Sequence, residues 1–199
     1  MVDVKDGRHL VGFDLGGTKM LAGLFNSSYT CVGRKRRRTR GHEGVEAGLD
    51  RIVQTIEKAL DEAEVSRSSL AAIGIGCPGP LDLDRGIIFD APNLGWRNVR
   101  IKDRLEKQFD CPTVLLNDVD AGVFGEYRFG AGKGSESVLG VFPGTGIGGG
   151  FVYRGELFRA SPTVRSAVAD NEVASKRFPV GLPSRPRRPK PYFEARHHT

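Results

Sequence analysis

The chain has 199 residues, of which 39% are hydrophobic and 27% charged, as is typical of water-soluble globular proteins. Its formal net charge of +6 comes almost entirely from residues 161–199, which hold eight Lys and Arg against three Asp and Glu. The preceding part is close to neutral, which excludes a general attraction of the folded part to polyanions such as nucleic acid.

The cysteines and the N-terminus exclude several further classes. Cys31, Cys77 and Cys111 are widely spaced and never form a Cys-x-x-Cys pair, so neither a disulfide framework nor a zinc site is predicted. The first nine residues are too polar for a signal peptide, and no apolar run approaches the roughly 18 residues that span a bilayer. We therefore expect a cytoplasmic protein that does not associate with membranes.

The first apolar segment is interrupted by Asp14-Leu-Gly-Gly-Thr-Lys19. Apolar residues on both sides predict a strand, a tight turn and a second strand, with Gly16 and Gly17 free to adopt positive φ. Backbone N–H groups of such a turn can approach an anion closely, and Thr18 and Lys19 add a hydroxyl donor and a positive charge. Asp14 offers a carboxylate to a Mg²⁺ ion that keeps most of its water. The turn is a candidate phosphate site, and an ordinary hairpin with solvated charges is the alternative.

The next segments alternate between strand and helix patterns. A third apolar stretch around Tyr29–Val32 runs into the basic residues 34–38, which we interpret as the solvated edge of a sheet. Apolar residues at a spacing of 3.6 predict an amphipathic helix over residues 44–64. Leu70–Gly76 is then a buried strand that ends in Cys77-Pro-Gly-Pro80, a sharp turn suited to the floor of a pocket.

A second hairpin is predicted within residues 81–93, and it leads to a loop that carries Asn93 and Trp96. For Trp96, the only tryptophan, the structural interpretation is that it caps the core. A short helix marked by Ile101, Leu105 and Phe109 and an apolar strand over Thr113–Leu116 follow.

Asp118 lies where this strand meets the next helical pattern. One interpretation is a helix N-cap, a common use of Asp. The functional interpretation is that Asp118 is a general base whose side chain projects from the carboxyl end of a strand, where ligands bind in α/β sheets. The two interpretations are compatible.

A second glycine cluster, Gly144-Thr-Gly-Ile-Gly-Gly-Gly150, lies between the predicted strands Val138–Phe142 and Phe151–Tyr153. Its letters match a dinucleotide-binding fingerprint, but that fingerprint requires a helix immediately afterwards, and here a strand, a turn and a strand are predicted. We therefore expect a second glycine turn, with Thr145 as a hydroxyl donor, suited to the same polyphosphate from the opposite side.

Taken in order, these motifs resemble the N-terminal half of a kinase of the ROK family, the bacterial glucokinase-type sugar kinases with an actin-like fold. The resemblance runs from about residue 10 to 159 and is carried by six motifs: residues 14–19, 77–79, 93–96, 117–118, 125–126 and 144–150. It implies an α/β fold: an actin-like ATPase (ribonuclease H-like) lobe with a mixed sheet, whose second lobe is largely missing. The predicted domain is residues 1–159.

The resemblance also assigns roles to residues. It implies a first phosphate loop of Asp14, Gly16, Gly17, Thr18 and Lys19, and a second of Gly144, Thr145, Gly146, Gly148 and Gly149. It implies sugar contacts from Gly79, Asn93, Asn117 and Asp118, with Asp118 as the catalytic base.

The implied reaction is phosphoryl transfer from ATP, with Mg²⁺, to the 6-hydroxyl of a hexose. Glucose is the first choice, ahead of N-acetylated hexosamines, mannose and fructose, and polyphosphate is an alternative donor. Asp14 would hold the Mg²⁺ through water. A small-molecule hexose and ATP are the expected partners, without nucleic acid, and a homodimer is an option for a complete protein.

The family pattern stops after Arg159, where Glu-x-Gly-His and a cysteine-rich zinc cluster would be expected and are not found. Residues 160–199 hold six of the eleven prolines and eight basic residues. We interpret them as a disordered tail or a frameshifted reading frame, in a chain whose truncation could leave it inactive. The alternatives are a sugar-responsive regulator of the same family, an inactive binding fragment, and a nucleic-acid-binding module with a basic tail.

Overall fold

The computed structural model describes residues 7–143 and 147–158, and this part of the chain has an α/β architecture. The strands are β1 (His9–Leu15), β2 (Lys19–Phe25), β3 (Cys31–Arg38), β4 (Leu70–Cys77), β5 (Leu81–Asp82), β6 (Ile87–Ala91), β7 (Trp96–Val99), β8 (Thr113–Asn117), β9 (Ser137–Pro143), β10 (Ile147–Tyr153) and β11 (Glu156–Phe158). The α-helices are α1 (Val45–Glu62), α2 (Ile101–Phe109) and α3 (Asp118–Phe129).

The main sheet has five strands in the order β3-β2-β1-β4-β8. Strand β2 runs antiparallel to both β1 and β3, whereas β1, β4 and β8 are parallel to one another. The α/β class and the mixed sheet expected from the sequence are thereby confirmed. The carboxyl ends of β1, β4 and β8 meet at one edge, where α/β sheets bind ligands.

The core lies between this sheet and the helices α1 and α2. In β1, Val11, Phe13 and Leu15 are buried, and the intervening residues are not. Ile52 and Ile56 of α1 are fully buried in the same cluster, as the 3.6-residue spacing predicts. Burial of this alternating face fixes the register of β1 and therefore the direction in which Asp14 points.

The basic residues 34–38 form most of the edge strand β3, so the predicted solvated edge is confirmed. The strand itself begins at Cys31 and continues to Arg38, further than the apolar stretch Tyr29–Val32 indicated. Lys35 contacts Glu62 of α1, and Arg37 donates a hydrogen bond to Gln54 of the same helix. The intervening residues Arg34, Arg36 and Arg38 are exposed. Charged side chains suit a strand of which neither face enters the core completely.

A three-stranded sheet of β5, β6 and β7 contains the hairpin that the sequence predicted. Asn93 lies in a short 3₁₀ turn, Pro92–Leu94, but Trp96 begins β7 instead of lying in a loop, because its backbone pairs with Ala91. The Trp96 side chain is 0% exposed and packs against α1 at Gly48, which confirms that it fills the core.

The second glycine cluster also differs from its prediction. Gly148 and Gly149 are not part of a turn: they lie in β10 and pair with Phe142 and Val141 of β9. The sequence predicted a turn here because runs of glycine usually mark one, whereas backbone pairing extends the strand through these residues. Gly144, Thr145 and Gly146, where the chain passes from β9 to β10, lie outside the described residues.

The sheet of β9, β10 and β11 packs one face on α3, and within the described residues its other face is largely exposed. Gly140 and Gly150 lie against Val123 of α3. On the other face Leu139 is 71% and Val141 60% exposed. The sheet therefore presents exposed apolar side chains on this face.

Candidate functional site

Two carboxylates face each other at the carboxyl edge of the main sheet. Asp14 pairs in register with Gly76 of β4, and Gly76 pairs with Leu116 of β8, two residues before Asp118. A Cβ atom placed on Gly76 would lie 3.6 Å from the Cα of Asp118. Since Gly76 has no side chain, the space between the two aspartates stays open. Asp14, Gly76 and Asp118 line one cavity of about 550 Å³.

The surroundings of Asp14 change the pKa of its carboxyl group. Partial burial at the strand end, and then the negative charge of Asp118, raises the pKa of the Asp14 carboxyl, while Arg36 of β3 opposes the shift. Two neighbouring carboxylates at the edge of a cavity form a site that attracts a cation. The sequence did not indicate Arg36 as part of this site, because its place is fixed by strand pairing.

The junction of β8 and α3 holds Asn117 and Asp118. The N-cap of α3 is Asn117, whose Oδ1 accepts from the backbone N–H of Val119 at 3.1 Å. The same N–H donates to Oδ1 of Asp118 at 2.9 Å, and Asp118 itself is exposed at the cavity. The capping role considered for Asp118 therefore belongs chiefly to its neighbour, and the second carboxylate oxygen of Asp118 remains available to a ligand.

The first glycine turn is held from both sides. Thr39, fully buried, donates from Oγ1 to the carbonyl oxygen of Gly16 at 2.6 Å, and its N–H donates to the carbonyl of Thr18 at 2.9 Å. Asp14 and Lys19 are thereby fixed at the two ends of a rigid bend, with Lys19 exposed. Thr39 is a supporting residue that the sequence did not reveal, because it follows the turn by some twenty positions.

Gly16 and Gly17 lie too close to neighbouring atoms for a side chain to fit easily, and this contact, not a positive φ, explains why glycine occupies both positions. Neither Gly16 nor Gly17 adopts the left-handed conformation that we expected. A Cβ on Gly16 would lie 2.8 Å from the carbonyl oxygen of Lys19, and one on Gly17 would lie 3.0 Å from the Cβ of Asn93. The candidate phosphate turn and the candidate sugar residue Asn93 are therefore in contact.

Gly79 and the second glycine segment complete the surroundings. Gly79 has φ 96°, and a Cβ there would lie 2.1 Å from the carbonyl oxygen of Asp90, so only glycine fits. On the other side, a Cβ on Gly148 would lie 2.6 Å from the Val119 side chain, next to Asp118. The structure thus brings the first turn to Asn93 and the beginning of β10 to the start of α3.

The carboxylates of this site fit a hydrated magnesium ion better than a metal ion that is coordinated entirely by protein side chains. Among residues 7–143 and 147–158 no group of three His, Cys, Asp or Glu side chains could hold a metal ion. Asp14 and Asp118 supply two carboxylates at an open cavity, and Mg²⁺ is commonly bound through one or two carboxylates, water and substrate phosphates. The three cysteines are unpaired. No described helix is long and apolar enough to cross a membrane.

Curated proteins with similar sequences include sugar kinases. The chain is 34% identical over 150 residues to a glucokinase of Halalkalibacterium halodurans, covering 75% of this chain and 46% of the relative. It is 38% identical over 149 residues to a glucokinase of Thermotoga maritima, covering 74% and 45%. A xylose repressor of Caldicellulosiruptor bescii is 30% identical over 158 residues, covering 79% and 39%. The chain spans about half the length of the curated relatives it matches.

Solved structures agree with these relationships. A ROK family glucokinase from Streptomyces griseus in complex with glucose and AMPPNP matches with a TM-score of 0.68 and 33% identity, over 77% of this chain and 47% of that one. The ROK hexokinase from Thermus thermophilus matches with a TM-score of 0.68 and 38% identity, over 76% and 49%. Residues 10–163 match the ROK family, so the chain belongs to that family.

Proposed function

We propose that this chain is the catalytic lobe of a sugar kinase that transfers the terminal phosphoryl group of ATP to the 6-hydroxyl of a hexose, with glucose as the substrate. The observation that carries the proposal is the exposed Asp118, which faces Asp14 across the side-chain-free position Gly76 at the carboxyl edge of the sheet. The glucose and AMPPNP bound by the Streptomyces griseus relative support the choice of ligands.

In this proposal the free carboxylate oxygen of Asp118 accepts the proton of the sugar 6-hydroxyl. The hydroxyl oxygen forms a bond to the terminal phosphorus, the bond from that phosphorus to the bridging oxygen breaks, and ADP leaves. The transition state is loose, so positioning and neutralisation of charge contribute most of the rate, and no covalent intermediate is required. Mg²⁺, when bound, would neutralise phosphate charge, with Asp14 holding it through water.

The remaining site residues hold the ligands in this scheme. Thr18 and Lys19 would contact the phosphates from the first turn, together with the backbone at Gly16 and Gly17. Gly144, Thr145 and Gly146 would do so from the β9–β10 connection, and Gly148 and Gly149 would let that connection approach α3. The sugar would contact Gly79, Asn93 and Asn117, of which Asn93 already touches the first turn.

The domain boundary remains part of the proposal. We propose that the kinase lobe ends at residue 159 and that residues 160–199 contribute nothing to the site. Kinases of this type react in a cleft that excludes water, so one lobe alone should turn over slowly.

The test measures binding and turnover separately in the chain itself. Calorimetry should detect glucose and the ATP analogue AMPPNP with Mg²⁺, and a coupled assay should detect slow, glucose-dependent release of ADP. Asp118→Ala should keep glucose binding and lose about 10²–10⁴-fold in turnover. Asp61→Asn, an exposed carboxylate of α1, is the matched control and should behave as the wild type.

Three outcomes would count against this function. Near-normal turnover in Asp118→Ala would remove Asp118 from the role of base. Glucose binding without any nucleotide binding would favour a sugar-responsive regulator, as in the xylose repressor relative. Phosphorylation with polyphosphate but not ATP would change the donor.

A further inference from the structure

We infer that Thr39 is a positioning residue that couples the two ligand sites of the kinase lobe. Its hydroxyl fixes the first glycine turn, and the segment that it begins, residues 39–43, holds the turn that carries Asn93. We call residues 39–43 the bridge segment. This role rests on the proposed function, because it concerns how the phosphate donor and the sugar are held relative to each other.

The place of Thr39 is set by strand pairing. Arg38, the last residue of β3, pairs with Lys19, the first residue of β2. Thr39 therefore lies beside the glycine turn, and its backbone N–H donates to the carbonyl oxygen of Thr18 at 2.9 Å. Its side chain is 0% exposed, and Oγ1 donates to the carbonyl oxygen of Gly16 at 2.6 Å. The turn cannot change shape without leaving a buried hydroxyl unpaired, which is costly.

The bridge segment runs from the glycine turn to the Asn93 turn and to α1. Its second residue, Arg40, has a left-handed φ of 52°, so the chain turns sharply after the strand. Gly41 then lies against Leu94, because an added Cβ would lie 2.8 Å from the Leu94 carbonyl oxygen and 2.9 Å from its Cα. Glu43 pairs with Arg51 of α1, whose side chain is 13% exposed. The bridge segment is thus held at both of its ends.

The Asn93 turn is contacted at two neighbouring residues. Gly17 of the glycine turn lies against Asn93, with 3.0 Å between an added Cβ and the Cβ of Asn93, and Gly41 lies against Leu94. Leu94 is 1% exposed, whereas Asn93 is exposed and can reach a ligand. Contacts this close leave the two turns little room to move independently. A ligand that fixes one turn therefore also fixes the other, and the second ligand binds a site that is already ordered.

The alternative is that the Thr39 hydroxyl only stabilises the fold, and Thr55 of α1 provides the comparison. Thr55 is also 0% exposed, and its Oγ1 donates to the carbonyl oxygen of Arg51 at the same distance, 2.6 Å. Substitution by valine removes one buried hydroxyl of the same kind at either position. Only Thr39 is bonded to a turn that is proposed to bind a ligand, so Thr55→Val is the matched control.

The test is calorimetry of the full chain with glucose and with AMPPNP and Mg²⁺, each measured alone and in the presence of the other. In the wild type each ligand should strengthen the other at least about fivefold, and the two factors should be equal, because linkage is reciprocal. Thr39→Val should weaken each ligand about tenfold, since it leaves the Gly16 carbonyl without its donor. The same variant should reduce the coupling factor to about one.

Further variants separate this role from a general loss of stability. Thr39→Ser keeps the hydroxyl and should restore both affinities and the coupling factor, whereas Thr55→Val should bind as the wild type does. Gly41→Ala pushes on Leu94 without touching the glycine turn, so it should weaken glucose more than AMPPNP. Gly125→Ala, at an open position of α3, is its control. Circular dichroism of each variant checks that it is folded.

The failures of this inference and of the proposed function are distinguishable. A wild-type chain that binds neither glucose nor AMPPNP would refute the proposed function, and the coupling role with it. If the wild type binds both ligands without mutual strengthening, or Thr39→Val keeps the coupling factor, only the coupling role is refuted. Equal losses of affinity in Thr39→Val and Thr55→Val would likewise assign the Thr39 hydroxyl to folding alone.

Discussion

Gly48→Ala tests the packing of Trp96, which lies three residues after Asn93, against helix α1. An alanine in a helix interior is usually more favourable than glycine by about 1 kcal/mol, so a propensity argument alone predicts stabilisation. In this helix the added Cβ would lie 2.2 Å from Cζ2 of Trp96, whose side chain is fully buried and cannot move into solvent. Overpacking of a core costs about 1–3 kcal/mol. We therefore expect a net loss of up to about 2 kcal/mol in the free energy of unfolding.

The matched control is Gly125→Ala in α3, where an added Cβ has no neighbour within 4 Å. This variant should gain about 0.5–1 kcal/mol. Urea unfolding followed by circular dichroism, with the slope of each transition compared, measures both changes. The reasoning is refuted if Gly48→Ala is as stable as Gly125→Ala, because the contact with Trp96 would then have no energetic effect.

Two further predictions concern titrating groups. Since the pKa of Asp14 is raised in the folded state, the folded state binds this proton more tightly than the unfolded chain, and ionisation of Asp14 lowers stability. The difference in free energy of unfolding between Asp14→Asn and the wild type should therefore grow in favour of the variant as the pH rises from 3.8 through the raised pKa, and it should stay constant above that pKa. Urea unfolding at a series of pH values measures this difference. A difference that shrinks with rising pH would contradict the prediction. Burial, and then Asp118, raises the pKa of Cys77 to about 12, so iodoacetamide at about pH 8 should modify exposed Cys31 and spare Cys77. Mass spectrometry of native and urea-unfolded protein checks this, and rapid native labelling of Cys77 would show that the strand end is open.

The features set by local pattern could be predicted from the sequence. The 3.6-residue spacing of apolar side chains gave α1, the apolar residues on both sides of the first glycine turn gave β1 and β2, and the turn formers after Asp82 gave the β5–β6 hairpin. Asp14 and Asp118 were both predicted to be site residues. They lie more than a hundred positions apart, and the structure brings them to one cavity because β1 and β8 flank β4.

The features set by tertiary contact could not be predicted. Gly17 touches Asn93, and Thr39 holds the first turn, through packing that no local pattern records. Gly148 was assigned to a turn because glycine runs usually mark one, whereas backbone pairing with Phe142 places it in a strand. The roles assigned to the site residues, and the boundary at residue 159, stay predictions.

The position of Trp96 has a spectroscopic consequence. It is the chain's single tryptophan, so the intrinsic emission comes from one indole, three residues after Asn93 and enclosed by the core. A ligand that displaces the Asn93 turn would alter the polarity around that ring and shift the emission maximum. The chain therefore contains a built-in optical reporter next to its candidate sugar residue, which can be read without any label.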